Sequence, residues 1–472
     1  MYLIKGKIDM KKRYKKSLFI FRRDLRLDDN TGLIAAFNMS ENVIPCFIFD
    51  PRQVEKQNDF RSLNSIQFMM ESLDDLEKQL KAKKGKLYRF YGVAEDVISQ
   101  LLKKEKIEAV FVNRDYTPFS IKRDRQIRKH CNKHAIDFNS FSDILLHEVD
   151  EIRTGNGDPY TIFTPYYKKA SQVLVRKPEK IKKPGFYSKN ITISASKKKY
   201  TQSLGYENPH IHVHGGRKHA LKILKSLFKF KDYAKVRDYP SIPTTNLSAY
   251  IKYGNVSIRE VYYAMQKALG SKSTLSRQLY WHDFYTQLAY FSPYVFGEPF
   301  RLKYKKIKWS TSTKNFDTWC QGLTGFPIVD AGMRQLNATG YMHNRVRMIV
   351  GSFLTKDLHI NWLWGEKYFA QLLVDYDPCV NNGNWQWSSS TGADASPYFR
   401  IFNPWLQQKK FDPECTYIKK WIPELEDLDP KTIHAWDKVH SEYEVDYPAP
   451  MVDHYIQSQK AKEMYRAAAQ GK

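Results

Sequence analysis

Short apolar runs alternate with amphipathic stretches in the first third of the chain. The apolar runs span residues 17–21, 43–49, 87–91 and 109–113, and each has the length and composition of a buried strand. Between the second and third runs, apolar residues recur at steps of three and four, which predicts an amphipathic helix; they are Leu63, Ile66, Met70, Leu73, Leu76 and Leu80. The alternation predicts an α/β domain over residues 17–145, built on a doubly wound parallel sheet.

The pattern of hydrophobic and polar positions changes twice after this domain. Residues 146–215 show little periodicity and include the basic, proline-containing stretch 176–199, which is typical of an interdomain connector. From residue 216 to residue 472 the pattern is helical, with no convincing strand, and this predicts an all-α C-terminal domain. Residues 1–16 are strongly basic and are expected to form an N-terminal arm, in which Met1 and Met10 are both candidate initiation codons.

The charge and composition narrow the class of function. Lys and Arg number 76 against 50 Asp and Glu, giving a net charge of +26 that favours a polyanionic partner. A hydrophobic content of 42% excludes a disordered basic tail. No apolar run approaches the roughly 20 residues of a membrane span. The five scattered cysteines form no CxxC pair, so we expect a reducing, cytoplasmic location, and no secretory signal is evident.

Tryptophans are concentrated in the second half of the chain, where they could pack a core or stack on aromatic ligands. Seven lie between residues 281 and 387, namely Trp281, Trp309, Trp319, Trp362, Trp364, Trp385 and Trp387. The last two belong to the string NNGNWQWS, which begins at Asn381. Because buried amides need hydrogen-bond partners, this string predicts a bound polar ring system.

Three further groups of polar residues suggest ligand chemistry. Residues 244–250, TTNLSAY, form either an ordinary helix N-cap or a site for a phosphate. Asp375 and Asp377 could belong to a loop, bind a divalent metal or accept hydrogen bonds from a heterocycle. His210, His212 and His214 alternate, but no fourth ligand is near, so no metal site is expected. The residues alone indicate a basic two-domain protein that binds a phosphate-bearing heterocycle and DNA or RNA.

Three long strings resemble the photolyase/cryptochrome family and, within it, the class I bacterial cyclobutane pyrimidine dimer photolyases. They are FRRDLRLDDN at residues 21–30, TGFPIVDAGMRQLNATGYMHNRVRM at 324–348 and NNGNWQWSSSTGADASPYFRIFNP at 381–404. The resemblance implies an antenna-type α/β domain and a helical FAD-binding domain. It also implies light-dependent DNA repair, in which photoexcited, anionic reduced FAD donates an electron to a dimer flipped out of damaged DNA.

The resemblance assigns two groups of residues to FAD. The phosphates and ribityl chain would contact Tyr233, Thr244, Thr245, Asn246, Leu247 and Ser248. The isoalloxazine would be surrounded by Asn344, Arg347, Asp375, Asp377 and Asn381. Within the second group, Asp375 and Arg347 would form a carboxylate–guanidinium pair that tunes the flavin. Asn246 departs from the family, which usually has arginine there.

The resemblance also assigns residues to electron transfer and to DNA. The electron-transfer chain would consist of Trp309, Trp362 and Trp385. The flipped lesion would contact Gln278, Trp281, Asn344, Met348 and Trp387, with Trp281 and Trp387 as apolar walls. The DNA backbone would contact Arg237, Arg345 and Gln407.

Some alternatives stay open at this point. Gln278 stands where dimer-specific enzymes usually have glutamate, and glutamine is typical there of (6-4) photolyases and animal cryptochromes. Asn344 and Met348 nevertheless occupy positions where a (6-4) enzyme needs histidines, so dimer repair is favoured. A cryptochrome-type photoreceptor is the alternative from another functional class. We expect the enzyme to act as a monomer without a metal. A second antenna chromophore stays open, with methenyltetrahydrofolate, a deazaflavin, another flavin or none as the alternatives.

Overall fold

The computed structural model describes residues 12–182, 184–196, 207–395 and 397–470. Most of the predicted N-terminal arm, including Met1 and Met10, lies outside these residues. Within the described ranges, no helix has both the length and the apolar character that crossing a membrane requires.

The N-terminal region contains a parallel five-stranded sheet. Its strands are β1 (Tyr14–Phe21), β2 (Ser40–Phe49), β3 (Tyr88–Tyr91), β4 (Ala109–Asn113) and β5 (Asp137–Phe141), in the spatial order β3-β2-β1-β4-β5. The chain leaves β1 toward β2 on one side and returns to β4 on the other. The carboxyl ends of β1 and β4 therefore meet at a topological switch point.

The main differences from the predicted strands are the starts of β1 and β2, which each come three residues early, and the presence of β5. β1 begins at Tyr14, three residues early, because Tyr14 is buried and its hydroxyl donates to Asp137 of β5 at 2.6 Å. The pattern did not predict β5, whose sequence DFNSF lies half-exposed at the edge of the sheet. An edge strand pairs on one side only, so it needs no continuous apolar run.

Helices cover both faces of the sheet, as the doubly wound pattern predicts. They are α1 (Thr31–Met39), α2 (Pro51–Val54), α3 (Leu63–Ala82), α4 (Ala94–Glu105) and α5 (Pro118–Lys133). On one face, Leu18 and Val110 pack in a core with Leu101 of α4. On the other face, Phe19 and Phe68 belong to a core that continues into the C-terminal region.

The remaining described chain is helical, apart from isolated bridges. The connector carries α6 (Phe163–Ala170). The C-terminal helices are α7 (Arg217–Lys225), α8 (Tyr233–Val236), α9 (Leu247–Lys252), α10 (Ile258–Leu269), α11 (Arg277–Phe291), α12 (Thr313–Gln321), α13 (Pro327–Thr339), α14 (Asn344–Lys356), α15 (Trp362–Leu372), α16 (Pro378–Ser388), α17 (Pro404–Phe411), α18 (Thr416–Trp421), α19 (Pro430–His434), α20 (Trp436–Val439) and α21 (His454–Ala469). The predicted fold class, an α/β domain followed by an all-α domain, is confirmed.

Candidate functional site

A cavity of about 520 Å³ lies within the helical domain, among helices α9, α11, α14 and α16. This volume falls within the range of small-molecule and cofactor sites. Most of the predicted site residues line it, namely Tyr233, Arg237, Thr244, Thr245, Asn246, Leu247, Ser248, Gln278, Trp281, Asn344, Arg345, Arg347, Met348, Asp375, Asp377, Asn381, Trp385 and Trp387. Three predicted residues, Trp309, Trp362 and Gln407, are not part of the lining.

An ion pair crosses the cavity wall between α14 and the segment before α16. Both Asp375 oxygens lie 3.1–3.2 Å from Nη2 of Arg347, which is the pair that the resemblance implies. The Arg347 Nε donates to the carbonyl of Met342 at 2.8 Å, which fixes the plane of the guanidinium. Ser248 at the start of α9 donates to the same Asp375 at 2.6 Å. These bonds join three elements around one charged group.

Hydroxyl groups collect at the α9 end of the cavity. Thr244 and Thr245 are half-buried, and Ser248 is exposed. The Thr244 hydroxyl lies 3.3 Å from that of Tyr341. Asn246 adopts a left-handed conformation (φ 53°) as the residue before α9, and its side chain makes no capping bond there. The helix start therefore leaves hydroxyl and backbone donors that suit phosphate oxygens.

Helix α16 carries the amide-rich string, and its three asparagines do different things. The Asn381 amide lines the cavity and donates to the carbonyl of Glu366 at 3.2 Å. Asn382 is buried and donates to Val295 at 2.9 Å and to the Glu366 carboxyl at 3.0 Å. Asn384 donates to Val380 of its own helix at 2.8 Å. The amides of this string therefore do not all face the cavity. Asn381 lines it, whereas the buried amide of Asn382 forms hydrogen bonds with other parts of the protein.

The carboxylate before α16 is held by the protein itself. Asp377 accepts hydrogen bonds from the backbone N–H groups of Cys379 and Val380 at 3.0 and 3.2 Å, which caps the helix. It also pairs with Arg23 of the α/β domain. Although burial alone would raise the pKa of Asp377, the charges of Arg23, His282 and Lys252 lower it below its usual range. Burial lowers the pKa of Lys252 to about 8.

Trp281 is supported from behind by the connector. Its ring stacks on Phe163 of α6, with centroids 3.6 Å apart and planes 8° from parallel. Tyr285 stacks more loosely, at 5.4 Å. The Phe163 ring therefore packs closely against Trp281, which itself lines the cavity. Sequence reasoning missed Phe163, because nothing in the weakly periodic connector singles it out.

The three tryptophans of the predicted electron-transfer chain lie on neighbouring elements. Trp385 is buried and lines the cavity, with its ring 4.9 Å from that of Phe369. Gly365 of α15 lies so close to the Trp385 ring that a Cβ there would collide with it, and Trp362 lies one turn earlier on the same helix. A bridge between Ser310 and Ile360 then brings the segment of Trp309 alongside the start of α15.

Gln278 and Arg345, two of the residues predicted to contact the lesion or the DNA, have other partners in this structure. Gln278 donates to the carbonyl of Thr274 at 3.3 Å. Arg345 pairs with Asp238 at 2.9 Å and lies over the Phe411 ring. Gln407 is half-buried outside the cavity, and its carboxamide oxygen has no hydrogen-bond partner in the described part of the chain.

The donors and walls of this cavity fit FAD. Hydroxyls and a helix start at one end suit a pyrophosphate, and the Arg347–Asp375 pair with the Asn381 amide suits a polar ring. Trp281 and Trp387 supply aromatic surface near the same cavity. Among the described residues, no group of three or more His, Cys, Asp or Glu is arranged to hold a metal ion.

Comparisons with known proteins match this division of the chain. Residues 17–184 match the family model for DNA photolyase, and residues 274–467 match that for the FAD binding domain of DNA photolyase. The deoxyribodipyrimidine photo-lyase of Alkalihalophilus pseudofirmus is 37% identical, covering 94% of this chain and 97% of the relative. The enzyme of the same name from Escherichia coli is 35% identical, covering 96% and 98%.

Solved structures agree with these sequence matches. The photolyase of Sulfolobus tokodaii, solved with two FAD molecules, is 43% identical with a TM-score of 0.86, covering 96% of this chain and 99% of its own. The class III photolyase of Agrobacterium tumefaciens is 33% identical with a TM-score of 0.88, covering 98% and 100%. With the flavin-type cavity in place and relatives matched over nearly their whole length, this chain belongs to the photolyase/cryptochrome family.

Proposed function

We propose that this protein repairs DNA in light by splitting cyclobutane pyrimidine dimers with bound FAD. The observation that carries the proposal is the cavity of the helical domain, where hydroxyls, an ion pair and tryptophans converge in a chain of photolyase ancestry. Bound FAD would supply the absorption of light and the electron that opens the dimer. Action as a monomer is part of the same proposal.

The polar residues of the chain hold and orient the cofactor in this proposal. Thr244, Thr245 and Ser248 would donate to the phosphates and the ribityl chain, with Tyr233, Asn246 and Leu247 shaping the same end of the cavity. Arg347 and Asp375 would fix the edge of the flavin ring, because their pairing leaves both groups oriented. Asn381, Asn344 and Asp377 complete the surroundings of the ring.

The tryptophans have two proposed roles. Trp281 and Trp387 would stack against the flipped pyrimidines, since aromatic side chains bind bases without regard to sequence. Trp385, Trp362 and Trp309 would carry an electron inward from the surface, because an indole ring can lose and regain one. Trp385 and Trp362 are buried and Trp309 is half-buried, which supports this order.

The residues expected to face the lesion favour cyclobutane dimers over (6-4) products as the substrate. Asn344 and Met348 line the cavity, and the Asn344 amide lies 3.7 Å from the Met348 sulfur. His343 is buried at the N-cap of α14 and does not line the cavity, so this helix presents no histidine to a lesion. Gln278 offers both a donor and an acceptor. Arg237, Arg345 and Gln407 are the proposed backbone contacts.

Two finer assignments belong to the same proposal. Class I membership rests on the sequence strings, while the Agrobacterium class III structure is also closely similar, with a TM-score of 0.88. The two FAD molecules of the Sulfolobus tokodaii structure favour a second flavin over methenyltetrahydrofolate and a deazaflavin among the antenna candidates. The mass of the chromophores released from purified protein would identify which is bound.

A repair assay on defined lesions tests the proposed function. Purified protein with reduced FAD would receive oligonucleotides that carry one cyclobutane dimer or one (6-4) product, in blue light and in darkness. We expect restored pyrimidines from the dimer in light only. Restoration of the (6-4) product instead would favour that enzyme class. Dimer binding without turnover would favour a photoreceptor, as the 26% identity to a Synechocystis cryptochrome structure allows.

Trp387→Ala provides the matched variant for this assay. Loss of one base-stacking ring is expected to weaken binding of the dimer-containing oligonucleotide on the order of tenfold. Trp421→Ala is the control, because Trp421 is a half-buried tryptophan of α18 outside the cavity lining. Equal affinity in the two variants would contradict the placement of the lesion against Trp387.

A further inference from the structure

The loop after β1 packs closely against the helical domain. The Leu25 N–H donates to the carbonyl of Tyr253 at 2.9 Å, and Arg26 donates to that of Gly254 at 3.3 Å. Gly254 has a φ of 65°, and a Cβ there would lie 2.3 Å from the Arg23 carbonyl oxygen. Glycine therefore permits both the left-handed backbone and the close approach, and the position of Arg23 is closely fixed.

The Arg23 side chain reaches from this loop to the wall of the cavity. Its Nη2 pairs with Oδ2 of Asp377, and its Nη1 lies 3.5 Å from Asp115. Its Nε donates to the carbonyl of Lys252, the last residue of α9, at 3.2 Å. Only 13% of the side chain is exposed, and 8% of that of Asp377, so water screens this pair weakly.

The two oxygens of Asp377 serve different partners. Oδ1 accepts from the N–H groups of Cys379 and Val380 and so begins α16. Oδ2 is held by Arg23. The N–H of Asn381 donates to the Asp377 carbonyl at 2.8 Å, which places Asn381 one turn into the helix. An arginine of the α/β domain is thereby connected, through one carboxylate, to a residue of the cavity wall.

We propose that Arg23 is a positioning residue of the cofactor cavity, which holds the Asp377 carboxylate in its capping position and thereby orients α16 and Asn381. This proposal rests on the proposed function only in taking the ligand of the cavity to be a flavin. The coupling between Arg23 and the start of α16 is a property of the chain alone, so it can be measured with or without FAD.

The charges around Asp377 define how the coupling depends on pH. Arg23, Lys252 and His282 are the bases that face it, with His282 at 3.9 Å, Asp115 is the neighbouring acid, and Cys379 and Tyr376 are the other titratable groups beside it. Without Arg23, only Lys252 and His282 offset the effects of burial and of Asp115, so the pKa of Asp377 rises. A protonated Asp377 accepts more weakly from the N–H groups of Cys379 and Val380, so the cap weakens.

Hydrogen exchange tests the coupling directly in the full chain. In Arg23→Gln, the backbone amides of residues 379–384 are expected to exchange on the order of tenfold faster, since a lost N-cap has about this effect. Arg13→Gln is the control, because Arg13 forms an exposed pair with Asp137 in the same domain. Arg23→Lys should restore part of the protection, because lysine keeps the charge but not the forked geometry.

Retention of FAD at different pH values provides a second readout. The folded-state pKa of Asp377 is lowered. The stabilisation that its ionised carboxylate provides is therefore fully present above the unfolded pKa, and it is lost only as pH falls through the lower folded value. In Arg23→Gln the pKa of Asp377 rises, so FAD release is expected to begin at a higher pH than in the unmodified protein. With Asp377→Asn in both backgrounds, the pH-dependent difference should vanish.

The outcomes separate this proposal from the proposed function. Faster exchange in Arg23→Gln but not in Arg13→Gln supports the proposal, even in a protein that binds no flavin. Equal exchange in the two variants overturns it, even if DNA repair proceeds. Gly254→Ala provides an independent variant that displaces the loop without removing a charge, and unchanged exchange at the start of α16 in that variant would also contradict the proposal.

Discussion

A single phenyl ring from the connector supports one wall of the cavity. Phe163 stacks on Trp281 at 3.6 Å, and the Arg277 guanidinium lies 5.1 Å from the centre of the same phenyl ring. Because an aromatic pair contributes about 0.5–1.5 kcal/mol beyond buried area, Phe163→Ala should weaken dimer binding by up to about tenfold. Equilibrium titration of a dimer-containing oligonucleotide in darkness measures this affinity.

A matched variant separates this effect from general loss of an aromatic residue. Phe228 is 61% exposed and does not line the cavity, so Phe228→Ala should leave the affinity unchanged. Phe163→Tyr retains the ring and should bind nearly as tightly as the unmodified protein. If Phe163→Ala binds the lesion as tightly as Phe228→Ala, the stack does not position Trp281 for the lesion.

The same residues show what could be predicted at this scale. Seven of the 21 predicted site residues lie in the three strings that carry the family resemblance, and 18 of the 21 line one cavity. Phe163 could not be found in this way, since its stack on Trp281 joins positions far apart in the chain. The different environments of the Asn381 and Asn382 amides could not be predicted for another reason. Neighbouring residues of a helix point about 100° apart, and only the packing of α16 determines which amide faces the cavity.

The start of α14 is an element that responds to acid. His343 is its N-cap, and its Nδ1 accepts from the N–H of Arg345 at 3.2 Å. Burial lowers the pKa of His343 to about 4, and the charges of Arg347 and Arg345 act in the same direction. The folded pKa is below the unfolded value of about 6.5, so the unfolded chain binds the proton more readily and the free energy of unfolding falls from about pH 6.5 to pH 4.

His343→Asn tests this response, because asparagine caps a helix without titrating. Between about pH 7 and pH 4.5, the unmodified protein should lose on the order of 2 kcal/mol more stability than the variant. Denaturant titrations at several pH values measure the difference. Parallel pH profiles for the two proteins would show that other groups cause the acid response, such as His359, whose pKa burial also lowers.

Elements were predictable where a local pattern specifies them. Residues 109–113 were predicted as a strand with the bounds that the structure has, because all five side chains are buried. The helix from Leu63 was predicted from its apolar steps, and α3 ends at Ala82. β5 has half-exposed side chains, and its strand conformation comes from pairing with β4, which lies outside a local window.

At the scale of the whole molecule, buried charges join the two domains. Arg259 of α10 pairs with Asp29 and Asp143 of the α/β region, each at 2.8 Å. Arg26 binds both oxygens of Asp143 at 2.7 and 2.8 Å. All four side chains are at most 4% exposed. The predicted division into an α/β domain up to residue 145 and a helical domain from residue 216 gave no sign of this contact, because its partners lie more than 100 residues apart.

Removing one member of this cluster should destabilise both domains together. Arg259→Met leaves Asp29 and Asp143 with less compensation at a buried site, and a broken buried pair costs about 3–5 kcal/mol. Lys367→Met is the control, because Lys367 forms an exposed pair with Asp59 between the same two domains and its loss should cost at most about 1 kcal/mol. Urea unfolding can be followed in the helical domain by tryptophan fluorescence and in the α/β domain by exchange of the β-sheet amides. In Arg259→Met, both probes should show one shared transition at a lower urea concentration. A shift in one domain alone would mean that the cluster stabilises that domain without coupling it to the other.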